Sequence, residues 1–375
     1  MAEGYGVAYM PMPTMALDRI ALSSFRNHRD TQLGGTAKLN LLVGENGAGK
    51  TNILEAISLF APGRGMRRAG LSDMAGQDGD GGFAGGASLD AGDGGEPVRL
   101  GTAMLANRPG RRVVQVNGAE ATAIGLGEWL AIGWLTPAMD RLFADSAGAR
   151  RRYMDRLAVA IDPAHARHAS RYEAALRERN KLLSDEARPD PAWLDGIEAQ
   201  MAAAGAALAQ GRARLVGALS AALSQVPEEP FARPALTLRP GGAFEEAELR
   251  AIWSDARQRD RAAGRTLQGP HRDELEVVMA SKAMPAAECS TGEQKAMLIA
   301  ITLAHADLAA RGRPGLLLLD EVAAHLDPVR REALFDRLRA CGSQVWLTGT
   351  EAAPFAGIAG EASVWRVAAG AAERQ

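Results

Sequence analysis

Gly44-Glu45-Asn46-Gly47-Ala48-Gly49-Lys50-Thr51 fills every fixed position of the pattern G-x-x-x-x-G-K-[ST]. It stands between an apolar strand pattern, Leu39–Val43, and an apolar helical pattern from Asn52 to Phe60. That context gives the spacing a physical meaning. Glycines let successive backbone N–H groups turn inward around an anion, and the N-terminus of the following helix adds its positive end. Lys50 reaches the β- and γ-phosphates, and the Thr51 hydroxyl is suited to ligate Mg²⁺. The stretch Gly44–Asn52 is read as a nucleoside triphosphate site.

Far downstream, Leu316-Leu-Leu-Leu319 runs into Asp320-Glu321. A continuous apolar run is the pattern of a parallel strand covered on both faces. Asp320, at the end of such a strand, is expected to hold Mg²⁺ directly or through water. Glu321 is expected to polarise the water that attacks the γ-phosphate. A third element, Ser290-Thr291-Gly292-Glu293-Gln294-Lys295, precedes an apolar helix. It offers a hydroxyl, a glycine that permits close approach, and a helix dipole, all suited to an anion. Taken alone it reads better as an N-capped helix.

Composition sets the frame around these motifs. The chain has 375 residues, more than one compact core usually holds, so two lobes or a domain with an insertion are expected. Hydrophobic residues at 47% and charged ones at 23% exclude a wholly disordered or collagen-like chain. Lys+Arg is 43 against Asp+Glu 45, which excludes a globally basic coating protein but leaves local basic faces open. Only five of those 43 cations are Lys, so arginine clusters here carry less weight than usual. Two cysteines, Cys289 and Cys341, make neither a disulfide framework nor a four-ligand metal site. The opening residues lack a basic and apolar leader, and no stretch approaches eighteen uninterrupted apolar residues. A reduced, cytoplasmic protein without a membrane segment is expected.

Along the chain, residues 1–14 read as a flexible tail, and 15–146 as an N-terminal part carrying the phosphate loop. Gly76–Gly95, with nine Gly and four Asp, reads as a surface loop. Its Asp78-Gly-Asp80 lacks the further ligands of a calcium loop. From 147 to 266 strand signals give way to helical runs near Ala164–Ser184, Ala192–Gln225 and Glu245–Ala263. This stretch reads as a helical arm, and the α/β pattern resumes over 267–375.

As a set, the motifs resemble those of the ABC-type ATPases. Ser290, Gly292, Glu293 and Gln294 match the signature, which in that superfamily caps the γ-phosphate held by a second protomer. Ala323-Ala-His-Leu-Asp327 is similar to the D-loop, with Asp327 at the same interface. The implied fold is α/β, an ABC-type P-loop ATPase head assembled from both chain ends with an inserted helical arm.

Within that superfamily the chain resembles the RecF family. The resemblance rests on Leu22-Ser-Ser-Phe25-Arg26-Asn27-His28, Gly47–Ile57, Pro137 through Arg151-Arg152-Tyr-Met-Asp155, and Gly269-Pro-His-Arg-Asp273. It implies ATP and Mg²⁺ as cofactors, slow hydrolysis and an ATP-dependent homodimer. It also implies DNA binding at single-stranded gaps and duplex junctions, with RecR, RecO and RecA as partners in RecA loading. The chain departs from related patterns in several places: Gly63-Arg-Gly-Met-Arg67 is a loose version of the family's arginine-containing segment, and the Gly76–Gly95 loop is expanded. No glutamine near Trp134-Leu-Thr-Pro137 marks a Q-loop, and Gly349-Thr350-Glu351 lacks the switch histidine of transporter ATPases. Another SMC-like ATPase is the alternative, although prolines at 163, 189, 191 and 227 interrupt the arm. An importer ATPase subunit fits less well. DNA-contact candidates are Arg64, Arg67, Arg68, Arg111, Arg112 and Arg150–Arg152, although a solvated surface is the commoner role for such clusters and Arg151 and Arg152 equally suit pinning the arm to the head. His271 and Arg272 are candidates for hydrogen bonds across the nucleotide interface or, equally, for a structural turn.

Overall fold

The computed structural model describes residues 17–77, 79–90, 96–185, 190–310, 312–323 and 326–375. The expected tail, 1–14, lies outside them. The chain opens with β1 (Leu17–Phe25), β2 (His28–Gly34), β3 (Leu39–Val43), α1 (Lys50–Ser58) and a short α2 (Leu71–Met74). β4 (Phe83–Leu89), β5 (Val98–Met104), β6 (Arg112–Val116), β7 (Ala119–Glu120), α3 (Leu126–Trp129) and β8 (Ala131–Leu135) follow. The middle holds α4 (Ala147–Ile161), α5 (Ala164–Ser184), α6 (Pro191–Ser224), β9 (Pro234–Arg239) and α7 (Glu246–Ala262). The last part contains β10 (Glu274–Met279), β11 (Met284–Pro285), α8 (Thr291–Ala309), β12 (Gly315–Leu319) and α9 (Pro328–Ala340). It closes with β13 (Gln344–Gly349), β14 (Ala362–Ala368) and β15 (Ala371–Arg374).

The central sheet has the order β15-β14-β3-β13-β12-β8, parallel from β14 to β8 with β15 antiparallel at one edge. Strand β3, which feeds the phosphate loop, therefore lies between two strands from the far end of the chain. Its apolar neighbours divide by parity, because successive side chains in a strand point to opposite faces. Leu41, Leu317, Leu319, Val345 and Leu347 enter one core with α8 and α9, shared with α4 and α6. Leu42, Leu316, Leu318 and Trp346 enter another with α1 and the antiparallel sheet β2-β1-β4-β5-β6-β7. Trp346 and Trp365 stack at 5.4 Å in that second core. No described helix is long and apolar enough to cross a membrane.

Two sequence expectations change. The glycine-rich stretch 76–95 is not all loop, because it contains β4, which pairs with β1 on one side and β5 on the other. Phe83, Ala87 and Leu89 are buried there, a two-residue alternation that the glycines between them masked. Asp78 falls outside the described residues, and Asp80 accepts a turn bond from Gly82 N–H. The stretch 147–266 is likewise not all helical. β9 lies inside it and pairs with β10, giving a three-stranded sheet with β11 that packs beside α6 and α8.

Helices α5, α6 and α7 bury Tyr172, Met201, Leu208, Leu249 and Trp253 in a core of their own. Within it Arg179 is wholly buried yet fully bonded, to Glu198, Asp260, Thr266 and the Trp253 carbonyl. A buried guanidinium is tolerable only when paired in this way.

Candidate functional site

The phosphate loop turns from β3 into α1 through Gly44, Gly47 and Gly49. Gly49 has φ +118°, and a Cβ there would come within 2.6 Å of His28 Nε2 and 2.8 Å of Asn27 Oδ1. Glycine is required at that position by both torsion and space. The turn after β1 clamps the loop from outside. Asn27 Nδ2 donates to the Ala48 carbonyl, and His28 Nε2 lies 3.0 Å from the Gly49 carbonyl. Lys50 is buried, and its ammonium donates to the carbonyls of Gly44 (2.6 Å) and Glu45 (2.9 Å). Burial lowers its pKa, while the nearby carboxylates of Glu321 and Asp320 act in the opposite direction.

Asp320 and Glu321 arrive on the other side of β13. Thr51 Oγ1 donates to Asp320 Oδ1 at 2.9 Å, and Thr348 Oγ1 reaches the same oxygen at 2.9 Å. Burial pushes the Asp320 carboxyl above its usual range, and these two hydrogen bonds counteract it. Glu321 sits just past the strand with φ +53°, its N–H bonded to Thr348 Oγ1 at 2.8 Å. Asn46, Gly47, Gly49, Lys50, Thr51, Asn52, Arg67 and Glu321 line one cavity of about 100 Å³. Next to it lies a cleft of about 550 Å³ whose wall includes Arg26, Asn27, Asn52 and Arg67. Asn52 donates to Asn27 and accepts from Arg67, so it joins the two spaces. A hydroxyl and a carboxylate at the mouth of a phosphate loop are hard oxygen donors. Two such protein ligands, with phosphates completing the shell, are what Mg²⁺ accepts.

A family model for the RecF/RecN/SMC N-terminal domain matches residues 16–359. The chain is 47% identical over 367 residues to the DNA replication and repair protein RecF of Mesorhizobium japonicum, spanning 94% of this chain and 96% of that one. It belongs to the RecF family. The DNA replication and repair protein RecF of Rhizobium leguminosarum bv. trifolii is 45% identical over 370 residues, 95% of this chain and 98% of that one. Among solved structures, the recombination mediator protein RecF-ATP of the RecFOR pathway has a TM-score of 0.82 at 22% identity, covering 96% of this chain and 97% of that one. An Smc head domain from Pyrococcus furiosus has a TM-score of 0.54 at 16% identity over 96% of each chain. These likenesses show the ABC-type α/β head.

In this RecF-family chain the remaining expected residues lie apart from the phosphate loop. Ser290 caps α8 and shares a capping box with Glu293, whose carboxylate takes both the Ser290 N–H and hydroxyl at 2.9 Å. Lys282, with help from Ser290, holds the Glu293 carboxyl down to about 2. Gln294 is buried and donates to the Cys289 carbonyl. Gly292 is exposed, and a Cβ there would meet nothing within 4 Å. Nothing among the described residues requires glycine at that position. Asp327 caps α9 by accepting from Arg330 N–H, while Ala324 and His325 lie outside the described residues.

The arginine candidates separate by partner. Arg112 bonds Thr102 and the carbonyls of Gly63 and Leu59, and burial lowers its pKa to about 10. Arg150 forks onto Glu274, and Arg151 donates to the Asp273 carbonyl. Arg111 pairs with Glu120 at the surface, and Arg67 is drawn to Glu55 and Asn52. Arg64, Arg68 and Arg152 make no ion pair among the described residues, and all three line one groove of about 640 Å³ between the head and α4–α5. Arg156 lies in the same groove, 4.6 Å from the Trp134 ring.

His271 does not line the phosphate cavity of its own chain and stands in a turn held by hydrogen bonds. Its Nε2 donates to the Thr266 carbonyl, so Nδ1 accepts from the Tyr172 hydroxyl at 2.7 Å. Asp273 is buried and ion-paired with Arg212, which also binds Asp155, so Gly269–Asp273 ties the arm helices to the head. Arg272 is exposed. Sequence reasoning overlooked Thr348 and Glu55. Each is a buried polar residue flanked by apolar ones, a signal that acquires meaning only once its partners on other elements are known.

Proposed function

We propose that this chain is an ATP-dependent, DNA-binding recombination mediator of replication-linked repair, a slow ATPase that pairs with a second copy when ATP is bound. The observation carrying this reading is the 2.9 Å bond between Thr51 and Asp320, 269 residues apart, at a cavity also lined by Lys50 and Glu321. A phosphate-loop hydroxyl bonded to a strand-end carboxylate from the other end of the chain supports a nucleotide site assembled from both chain ends. The relatives' names support the repair role.

In this reading Gly44–Asn52 cradle the ATP phosphates, with Lys50 exchanging its loop carbonyls for phosphate oxygens. Thr51 and Asp320 hold Mg²⁺, which when bound neutralises developing phosphate charge. Glu321 lines the phosphate cavity and accepts the proton of the attacking water. Ser290, Gly292, Glu293 and Gln294 of one copy, with Asp327, meet the ATP of the other. The open space at Gly292 supports close approach by a partner surface. DNA at gaps and junctions meets a local basic face, since the chain's formal charge is −2. RecR, with RecO and RecA in the same pathway, are the proposed protein partners.

The test is sedimentation of the full chain with and without Mg·ATP and gapped DNA. A shift to dimer with ATP, and a further shift with DNA, is expected. A monomer under all conditions contradicts the dimer reading, and ATP dependence without DNA dependence favours an importer-type subunit.

A further inference from the structure

Thr348 lies on β13, which separates the phosphate-loop strand from the strand carrying Asp320. It pairs in register with Leu42 of β3, while Leu347 before it pairs with Leu319, the residue preceding Asp320. The side chain is fully buried. A threonine hydroxyl has one proton and two lone pairs. Glu321 N–H donates to this oxygen, so its proton is directed to Asp320 Oδ1. Thr51 donates to the same carboxylate oxygen. Asp320 Oδ1 is thereby gripped by two hydroxyls, and rotating the carboxylate breaks both bonds. Glu321 stands in a left-handed backbone conformation that its side chain does not favour, and the bond to Thr348 holds it there.

We propose that Thr348 is a positioning residue that sets, through one hydroxyl, both the orientation of the Asp320 carboxylate and the backbone of Glu321. This rests on the ATPase reading of the site. It links two groups with different duties, so removing one oxygen loosens the Mg²⁺-facing carboxylate and the group next to the attacking water together. The alternative is that Thr348 merely fills space between β3 and β12.

Two substitutions in the full chain separate the two. Thr348→Val keeps the volume and loses the hydroxyl; Thr348→Ser keeps the hydroxyl and loses a methyl group. The measurements are affinity for a fluorescent ATP analogue in EDTA and in Mg²⁺, the Mg²⁺ dependence of turnover, and the thermal midpoint. For Thr348→Val, affinity in EDTA should match wild type, while the Mg²⁺ needed for half-maximal turnover rises and turnover falls by roughly tenfold or more. Thr348→Ser should restore both, even if its thermal midpoint drops. A Thr348→Val protein that matches wild type overturns the proposal, as does a Thr348→Ser protein more impaired in turnover than Thr348→Val. If the wild type neither binds nor hydrolyses ATP, the ATPase reading itself fails and takes this role with it. If wild type is active and the variants do not differ from it, only the role of Thr348 fails.

Discussion

Glu55, completely buried on α1, shares its carboxylate between Arg67 at 3.1 Å and Arg26, which grips both oxygens at 2.8 and 2.9 Å. One carboxylate thus holds two guanidiniums at the wall of the nucleotide cleft, leaving an excess positive charge there. Arg67→Ala, at a partly exposed side chain, should lower ATP affinity about tenfold while shifting the thermal midpoint little. Glu55→Gln should instead destabilise the fold by about 1–3 kcal/mol, because the buried side chain loses its charge-assisted bonds to Arg26 and Arg67, which keep partial access to water. Equilibrium nucleotide binding and thermal unfolding on the two variants distinguish these outcomes.

Lys50 donates to two carbonyls of its own loop, a role that a planar guanidinium cannot reproduce in the same space. Lys50→Arg should retain part of the ATP binding and lose turnover by about 100-fold or more. Phosphate release under saturating ATP provides the measurement, and normal turnover would remove Lys50 from the phosphate site.

Glu321→Gln should keep nucleotide affinity and accumulate an ATP-bound dimer, seen as a persistent faster-sedimenting species. Ser290→Arg should bind ATP normally and remain monomeric, since Ser290 caps α8 away from the cavity of its own chain. Loss of affinity in Glu321→Gln, or dimerisation of Ser290→Arg, contradicts the assigned role.

Two histidines are held neutral by burial, His271 and His305, each with a pKa of about 4 against an ordinary 6.5. Between those values the unfolded chain binds more protons than the folded one, so stability is complete above pH 6.5 and declines toward pH 4. Each site contributes at most about 3 kcal/mol to that loss. Thermal midpoints measured from pH 7.5 to 5 should fall, and His305→Gln should flatten the decline; an unchanged slope would contradict it.

Arg64, Arg68 and Arg152 line the head–arm groove without ion-pair partners among the described residues, whereas Arg112 and Arg150 are committed to structural bonds. Substituting the first three with Ala should weaken DNA binding. The slope of log K against log salt should fall by about 0.7–0.9 for each phosphate contact removed. Arg150→Ala should reduce the thermal midpoint instead. Unchanged salt dependence in the triple variant would place DNA elsewhere.

Much of the head was readable in advance because its strands and loops carry strong local signals. The loop Gly44–Thr51 has fixed spacing, and Leu316–Leu319 is apolar enough to announce a buried strand. The three long helices of the arm fall within a residue or so of their expected bounds, since breakers at Pro163 and Pro191 punctuate them. β4 was hidden because Gly85 and Gly86 dilute its alternation, and its pairing with β1 and β5 is a tertiary fact. β9 was hidden among helices because its short run, Pro234–Arg239, gains meaning only by pairing with β10. Within the site, Thr51, Asp320 and Glu321 were legible as motif residues. Thr348 and Glu55 were not, because their importance comes from partners on other elements.

Strand β3 has both of its sheet neighbours, β13 and β14, at the opposite end of the chain. During synthesis it emerges about 300 residues before either partner, a delay of roughly 15–60 s at ordinary elongation rates. Throughout that interval a nascent chain carries an apolar strand with both edges bare, a template for wrong pairing. Loop closure on this scale also makes assembly of the head slow. Chains cut short before β13 are therefore expected to aggregate rather than persist as a folded half. The architecture that gathers the nucleotide site from distant residues also delays its completion until β13 and β14 have been made.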